Sequence, residues 1–286
     1  MHPVETAAAP AAQAAPDPRR SPARGRIGVA LAGCWLALVV LGAAASSLLP
    51  ALDPLRADFS AILEPPSAKH WLGTDAIGRD ILARTLAGGR SSLIVGAMTV
   101  AFGLVAGGLL GIAAGYLRGV VDGAVGILTD LILAFPALIL IMAVVSLSGA
   151  GYWTIGLLIG GLSVPAFARL ARASTISVRE QDYVLAARNM GAGPLRTMRT
   201  EIIPNVLPVL GAYSFAAVTA SIVVEGSLSF LGFGLQPPLP SWGNLIAEGR
   251  VHFATAPWIT AAPALTLCAT VLSVNVLGQA LSKGRP

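Results

Sequence analysis

The sequence predicts an all-α, polytopic membrane protein with six transmembrane helices and both termini in the cytoplasm. Three observations lead there. Hydrophobic residues make up 55% of the chain and charged residues 12%, about half the charged share of a soluble domain. Uncharged apolar runs recur at about the 20 residues a helix needs to cross a bilayer. Basic residues gather in alternate segments between those runs.

Residues 1–25, rich in Ala, Pro and Arg, read as a disordered cytoplasmic tail. Residues 26–91 read as a first transmembrane helix followed by an external loop. The helix runs over Ile27–Leu49, and although Gly42–Ser47 (GAAASS) looks like a signal-peptidase site, the run is long for a signal segment and is expected to stay uncleaved. Residues 92–286 form the core domain, with five further spans expected at Leu93–Leu117, Gly123–Leu147, Thr154–Leu170, Leu207–Leu231 and Trp258–Leu281. Only a tight polar turn, with Arg118 and Asp122, separates the second span from the third, and the fourth is short and holds Pro165. With the N-terminus inside, thirteen of the nineteen basic residues fall on the cytoplasmic side, which fixes the orientation.

That orientation places residues 171–206 in the cytoplasm as the longest internal loop. It reads as a helical hairpin. In Arg179–Met190, the residues Tyr183, Ala186, Ala187 and Met190 share one helix face, and Asp182 near the start suits the helix dipole. Gly191 and Gly193 break the helix, Pro194 opens the next, and Pro204 is expected to end it. Small alanines on an exposed, half-apolar face beside Arg188 allow the close approach of another surface.

Two acids fall inside expected spans, Asp130 in the third and Glu225 in the fifth. Buried acids of this kind pair, pack or line a pathway. In the external loop, Asp75 and Arg79, and likewise Asp80 and Arg84, are four apart. On a helix they form ion pairs, either along an amphipathic helix on the outer membrane face or as a contact for an external partner. Trp242, in a turn-rich external segment, is either an interfacial anchor or part of a gate.

Other chemistries lack their residues. Cys34 and Cys268 lie in apolar runs and read as free thiols, and His2, His70 and His252 show no metal-ligand spacing. Neither lysine, Lys69 or Lys283, sits in a phosphate-binding loop. The net charge of +5 reflects cytoplasmic arginines, and no basic aromatic face points to nucleic acid. A stand-alone secondary transporter predicts an inverted repeat with a polar midplane site, and an intramembrane enzyme predicts clustered His, Asp or Ser; neither pattern is clear.

Ala186-Ala187, Gly191 and Ile203-Pro204 resemble the EAA loop of ABC importer permeases, with Leu185 where that family has Glu and Glu201 where it has Ile. LGTDAIGRDILARTLAGGRSSL (Leu72–Leu93) and LSFLGFGLQPPLPSWGNLI (Leu228–Ile246) are similar to the dipeptide, oligopeptide and nickel branch, of the DppC/OppC type. The resemblance implies a permease subunit of an ATP-driven, binding-protein-dependent importer with the type I transmembrane fold, in the bacterial plasma (inner) membrane. Its substrate would be di- or oligopeptides, or alternatively nickel chelates or glutathione. It implies a second permease subunit, two ATPase subunits that bind ATP and Mg, and an external solute-binding protein, with no cofactor on this chain. It also assigns ATPase coupling to the loop holding Asp182, Tyr183, Ala186, Ala187, Arg188, Gly191, Gly193 and Pro204.

Overall fold

The computed structural model describes residues 22–283, so the predicted tail lies outside the described residues except for its last turn, which already belongs to the first helix. The helices are α1 (Pro22–Leu48), α2 (Ile81–Leu117), α3 (Gly119–Ala134), α4 (Ala137–Ser148), α5 (Tyr152–Arg179), α6 (Asp182–Asn189), α7 (Pro194–Phe230), α8 (Trp242–Gly249) and α9 (Trp258–Lys283). Five helices are long and apolar enough to cross a membrane, six if the bent pair α3–α4 counts as one span. No β-strand occurs among the described residues.

Several boundaries differ from the sequence expectation, each for a local reason. α2 starts twelve residues before Leu93, at the N-cap Asp80, whose carboxylate accepts the Ala83 N–H at 3.0 Å. The expected continuous span Gly123–Leu147 is bent by 77°. Pro136 carries no N–H and drives Phe135 into extended backbone, so α3 ends and α4 begins there. α5 runs through Pro165 to Arg179, nine residues past the expected end, which shortens the cytoplasmic loop. Pro204 does not end a helix. A π turn at Met198–Ile202 widens α7 just before it, and the Asn205 side chain donates to the Glu201 carbonyl at 2.7 Å.

The spine of the bundle is the packing of α2 on α5. Gly103, Gly107, Gly111 and Gly115 recur every four residues along one face of α2. A Cβ on Gly107 would sit 2.6 Å from the Val164 carbonyl oxygen, and one on Gly111 would collide with the Ala168 carbonyl. Only glycine lets the two backbones approach this closely. α1 lies against α9, where the Trp35 indole donates to Thr270 at 3.1 Å.

Candidate functional site

Between α5 and α7 the chain leaves the bundle as α6. Its start follows Gln181 in extended backbone, with Asp182 in the first turn. Its end is a Schellman closure. Gly191, at φ +88°, donates to the Arg188 carbonyl at 3.0 Å, and Ala192 donates to Ala187 at 3.1 Å. Gly193 then precedes Pro194 at the first position of α7. The two glycines and the proline therefore act as the sequence predicts.

α6 buries one side chain fully against the bundle. Val184 is fully buried in the cluster with Tyr116, Phe167 and Ile202. Asp182, Tyr183, Leu185, Ala186, Arg188 and Met190 are exposed, Ala187 is half-buried, and Leu195 on α7 is exposed beyond them. Tyr183, Ala186 and Met190 thus point away from the protein, with Ala187 half-buried beside them and Arg188 and Asp182 at the rim. Val184 is not singled out by the sequence, since it stands among Tyr183, Leu185, Ala186 and Ala187, and only the fold shows which of them turns inward.

Three ion pairs link the ends of α2 and α3 to the cytoplasmic half of α5. Arg118 bonds Glu180 at 2.8 Å, Arg172 bonds Asp122 at 2.7 Å through Nη2, and Arg169 bonds Asp130 at 3.0 Å. The predicted intramembrane acid Asp130 is therefore paired, and its partner was not foreseen. Arg172 looked like a loop charge because α5 was expected to stop at Leu170, whereas Arg169 lay within that expected span.

Glu225 is buried completely between α7, α2 and the start of α8. Its Oε2 accepts from Ser92 at 3.0 Å and its Oε1 from Ser229 at 2.7 Å, while Ser241 donates on to Ser229 at 3.2 Å. Ser241 is itself the N-cap of α8, in a reciprocal capping box with Asn244. Trp242 is also fully buried, its indole donating to the Thr85 carbonyl at 3.0 Å and its ring facing Gly89. It is a core residue on the inner side of α8, so the reading of an exposed interfacial anchor is corrected.

The external charges form no amphipathic helix. Residues 75–80 are a turn, and Asp80 pairs with His70 at 2.9 Å rather than with Arg84. Arg84, only 3% exposed, bridges Asp75 at 2.7 Å and Glu248 of α8 at 2.7 Å, and Arg79 bonds the same two acids. Burial alone would raise the Asp75 carboxyl. The N–H groups of Arg79 and Ile77, the Arg79 side chain and the Arg84 charge outweigh it and hold Asp75 below the usual aspartate range. Asp75 and Arg84 are thus internal braces, and Glu248 is the member that sequence spacing missed.

The comparisons with known proteins agree with this architecture. Residues 107–285 match the family described as binding-protein-dependent transport system inner membrane component. The chain is 36% identical over 258 residues to the glutathione transport system permease protein GsiD of Pectobacterium atrosepticum, covering 90% of this chain and 86% of that protein. It is 37% identical over 261 residues to the oligopeptide transport system permease protein OppC of Mycobacterium bovis, covering 90% and 89%. The fold is similar to a chain of the MetNI methionine ABC transporter in an inward-facing crystal form, with a TM-score of 0.59, 16% identity, and coverage of 70% of this chain and 95% of that one. The chain belongs to the family of binding-protein-dependent transport system inner membrane components, as a multi-pass permease of the inner membrane.

Proposed function

We propose that this chain is one of two different permease subunits of an importer for short peptides, driven by ATP on two separate ATPase subunits and supplied by an external binding protein. The observation that carries the reading is α6, a largely exposed octamer whose one fully buried side chain is Val184, in a chain of this family. The sequence has no phosphate-binding loop. ATP and Mg therefore belong to the partners, and a surface must receive their motion. Tyr183, Ala186, Ala187 and Met190 supply the contact, Asp182 and Arg188 border it, and Gly191, Gly193 and Pro204 shape its exit.

The mechanism follows from the packing. Closure of the ATPase pair pushes on α6, Val184 transmits the push to Tyr116 and Phe167, and the α2–α5 spine moves as one body. ATP and a loaded binding protein drive this switch only by favouring one of its two states. The outer side is braced by Arg84, Asp75 and Glu248, with Arg79 and Glu248 the members left part-exposed to a docking protein. Glu225 and Trp242 hold α8 against α2, so their role in gating is to keep that external helix in register.

The relatives named for oligopeptide and glutathione transport support a peptide substrate, since glutathione is itself a tripeptide. The test is uptake by proteoliposomes holding this chain, its partner permease, the ATPases and the binding protein. Peptide accumulation that requires both ATP and binding protein is expected. Accumulation by this chain alone, without ATP, would show a stand-alone transporter instead.

A further inference from the structure

We propose that a notch between α3 and α5 is a station for the charged ends of a short peptide on its way to the cytoplasm. The inference rests on the peptide-importer reading above and names a site for it on this chain. The notch encloses about 270 Å³ and is walled by Asp122, Asp130, Arg169 and Arg172. Its floor is open because Gly123 and Gly126 stand there: a Cβ on either would meet nothing within 4 Å.

Two features single this notch out. First, Arg169 and Arg172 lie within α5, a helix of membrane-spanning length and composition, and Asp122 and Asp130 on α3, which reaches that length only together with α4, yet none of the four is buried in the chain. Asp130 is 74% exposed and Arg169 60%. Charged groups on membrane-spanning segments face either a protein partner or water, not lipid. Second, the four groups sum to zero and are mutually paired, Arg172 with Asp122 and Arg169 with Asp130. A zwitterionic peptide has the same two charges at its ends. It enters by exchange, its carboxylate taking the place of an aspartate on a guanidinium and its ammonium the place of an arginine on a carboxylate. No net charge is added to the membrane-spanning region. Guanidinium forks suit a carboxylate in this role.

The dimensions agree. Asp122 and Asp130 are eight residues apart on α3, a rise of about 12 Å. An extended peptide covers that distance in about three to four residues. Arg118 and Glu180 continue the ladder at the cytoplasmic end, where a departing peptide meets a third pair of the same kind.

The experiment uses the whole importer in inside-out vesicles. The permease chain carries Gly126→Cys after its own thiols are removed by Cys34→Ala and Cys268→Ala. The probe is a membrane-impermeant trimethylammonium methanethiosulfonate, scored as a mass shift on this chain. Labelling is expected, with trialanine slowing it about tenfold and N-acetyl-trialanine amide leaving it unchanged. Adding Arg169→Gln and Arg172→Gln is expected to keep the labelling and remove the protection. Gly123→Cys, on the same open floor, replaces Gly126→Cys if the latter does not assemble. Absence of labelling at both positions, labelling indifferent to trialanine, or equal slowing by the blocked peptide overturns the proposal. ATP-driven trialanine uptake by the unaltered importer is measured alongside. Uptake without protection defeats the notch alone, and absence of both uptake and protection defeats the peptide reading and the notch together.

Discussion

α6 and α8 are both eight-residue helices, one on each side of the membrane, and they are built in opposite ways. α8 has Trp242, Gly243, Asn244, Leu245 and Gly249 buried, a reciprocal capping box at Ser241, and Glu248 tied to two arginines. α6 buries Val184 alone and has no side-chain N-cap. A helix this short has little stability of its own. α8 obtains it from the bundle. α6 is left with a half-apolar face turned to solvent and a single fully buried side chain. The contrast separates a helix that is part of the protein's body from one that is offered to another polypeptide.

Truncating α8's anchor should produce the largest effect. Trp242→Ala removes a fully buried ring beside Gly89 together with its hydrogen bond to the Thr85 carbonyl. A loss of about 3–5 kcal/mol is expected, read as a lowered unfolding temperature in detergent.

Arg84→Met should follow at about 3 kcal/mol, because it leaves Asp75 buried with a single cationic partner. The same brace gives a pH signature. Asp75 is held below the usual aspartate range, so its stabilisation is present at neutral pH, above the unfolded-state value. It is lost only as pH falls through the folded-state value. Thermal unfolding followed into strong acid should show that loss in the wild type, and a smaller slope in Asp75→Asn.

On the cytoplasmic side, Val184→Ala should cost about 2 kcal/mol. The effect should be local, with faster amide exchange across residues 182–189 and the α2–α5 spine unchanged. Spread of the loss through the bundle would mean that α6 is more deeply tied in than its single buried residue indicates.

Much of this contrast was legible in the sequence, where the signals are local. Gly191, Gly193 and Pro194 dictate a break and a restart whatever surrounds them, and they do so in the structure. The apolar runs give the spans for the same reason. What escaped is tertiary. The start of α2 was hidden because Arg84 and Arg90 look too polar for a span, and only the fold supplies Asp75 and Glu248 to neutralise Arg84. Trp242 looked like a surface anchor because its neighbours are turn formers, and only the glycines of α2 show where its ring goes. The glycine period along α2 was visible, but its meaning depends on which helix lies opposite. Among the candidate site residues, the α6 face follows from spacing, whereas the pairing of Asp130 with Arg169 depends on how α3 packs against α5.

The smallest effect on stability belongs to the most informative variant. Ala186 is exposed on α6 and touches nothing the bundle needs, so Ala186→Arg should change stability by less than about 0.5 kcal/mol. The decisive measurement is peptide-stimulated ATP hydrolysis by the assembled importer carrying that substitution. The docking account predicts a correctly folded permease whose ATPase subunits bind weakly and no longer respond to peptide. Wild-type stimulation with Arg at position 186 would contradict it.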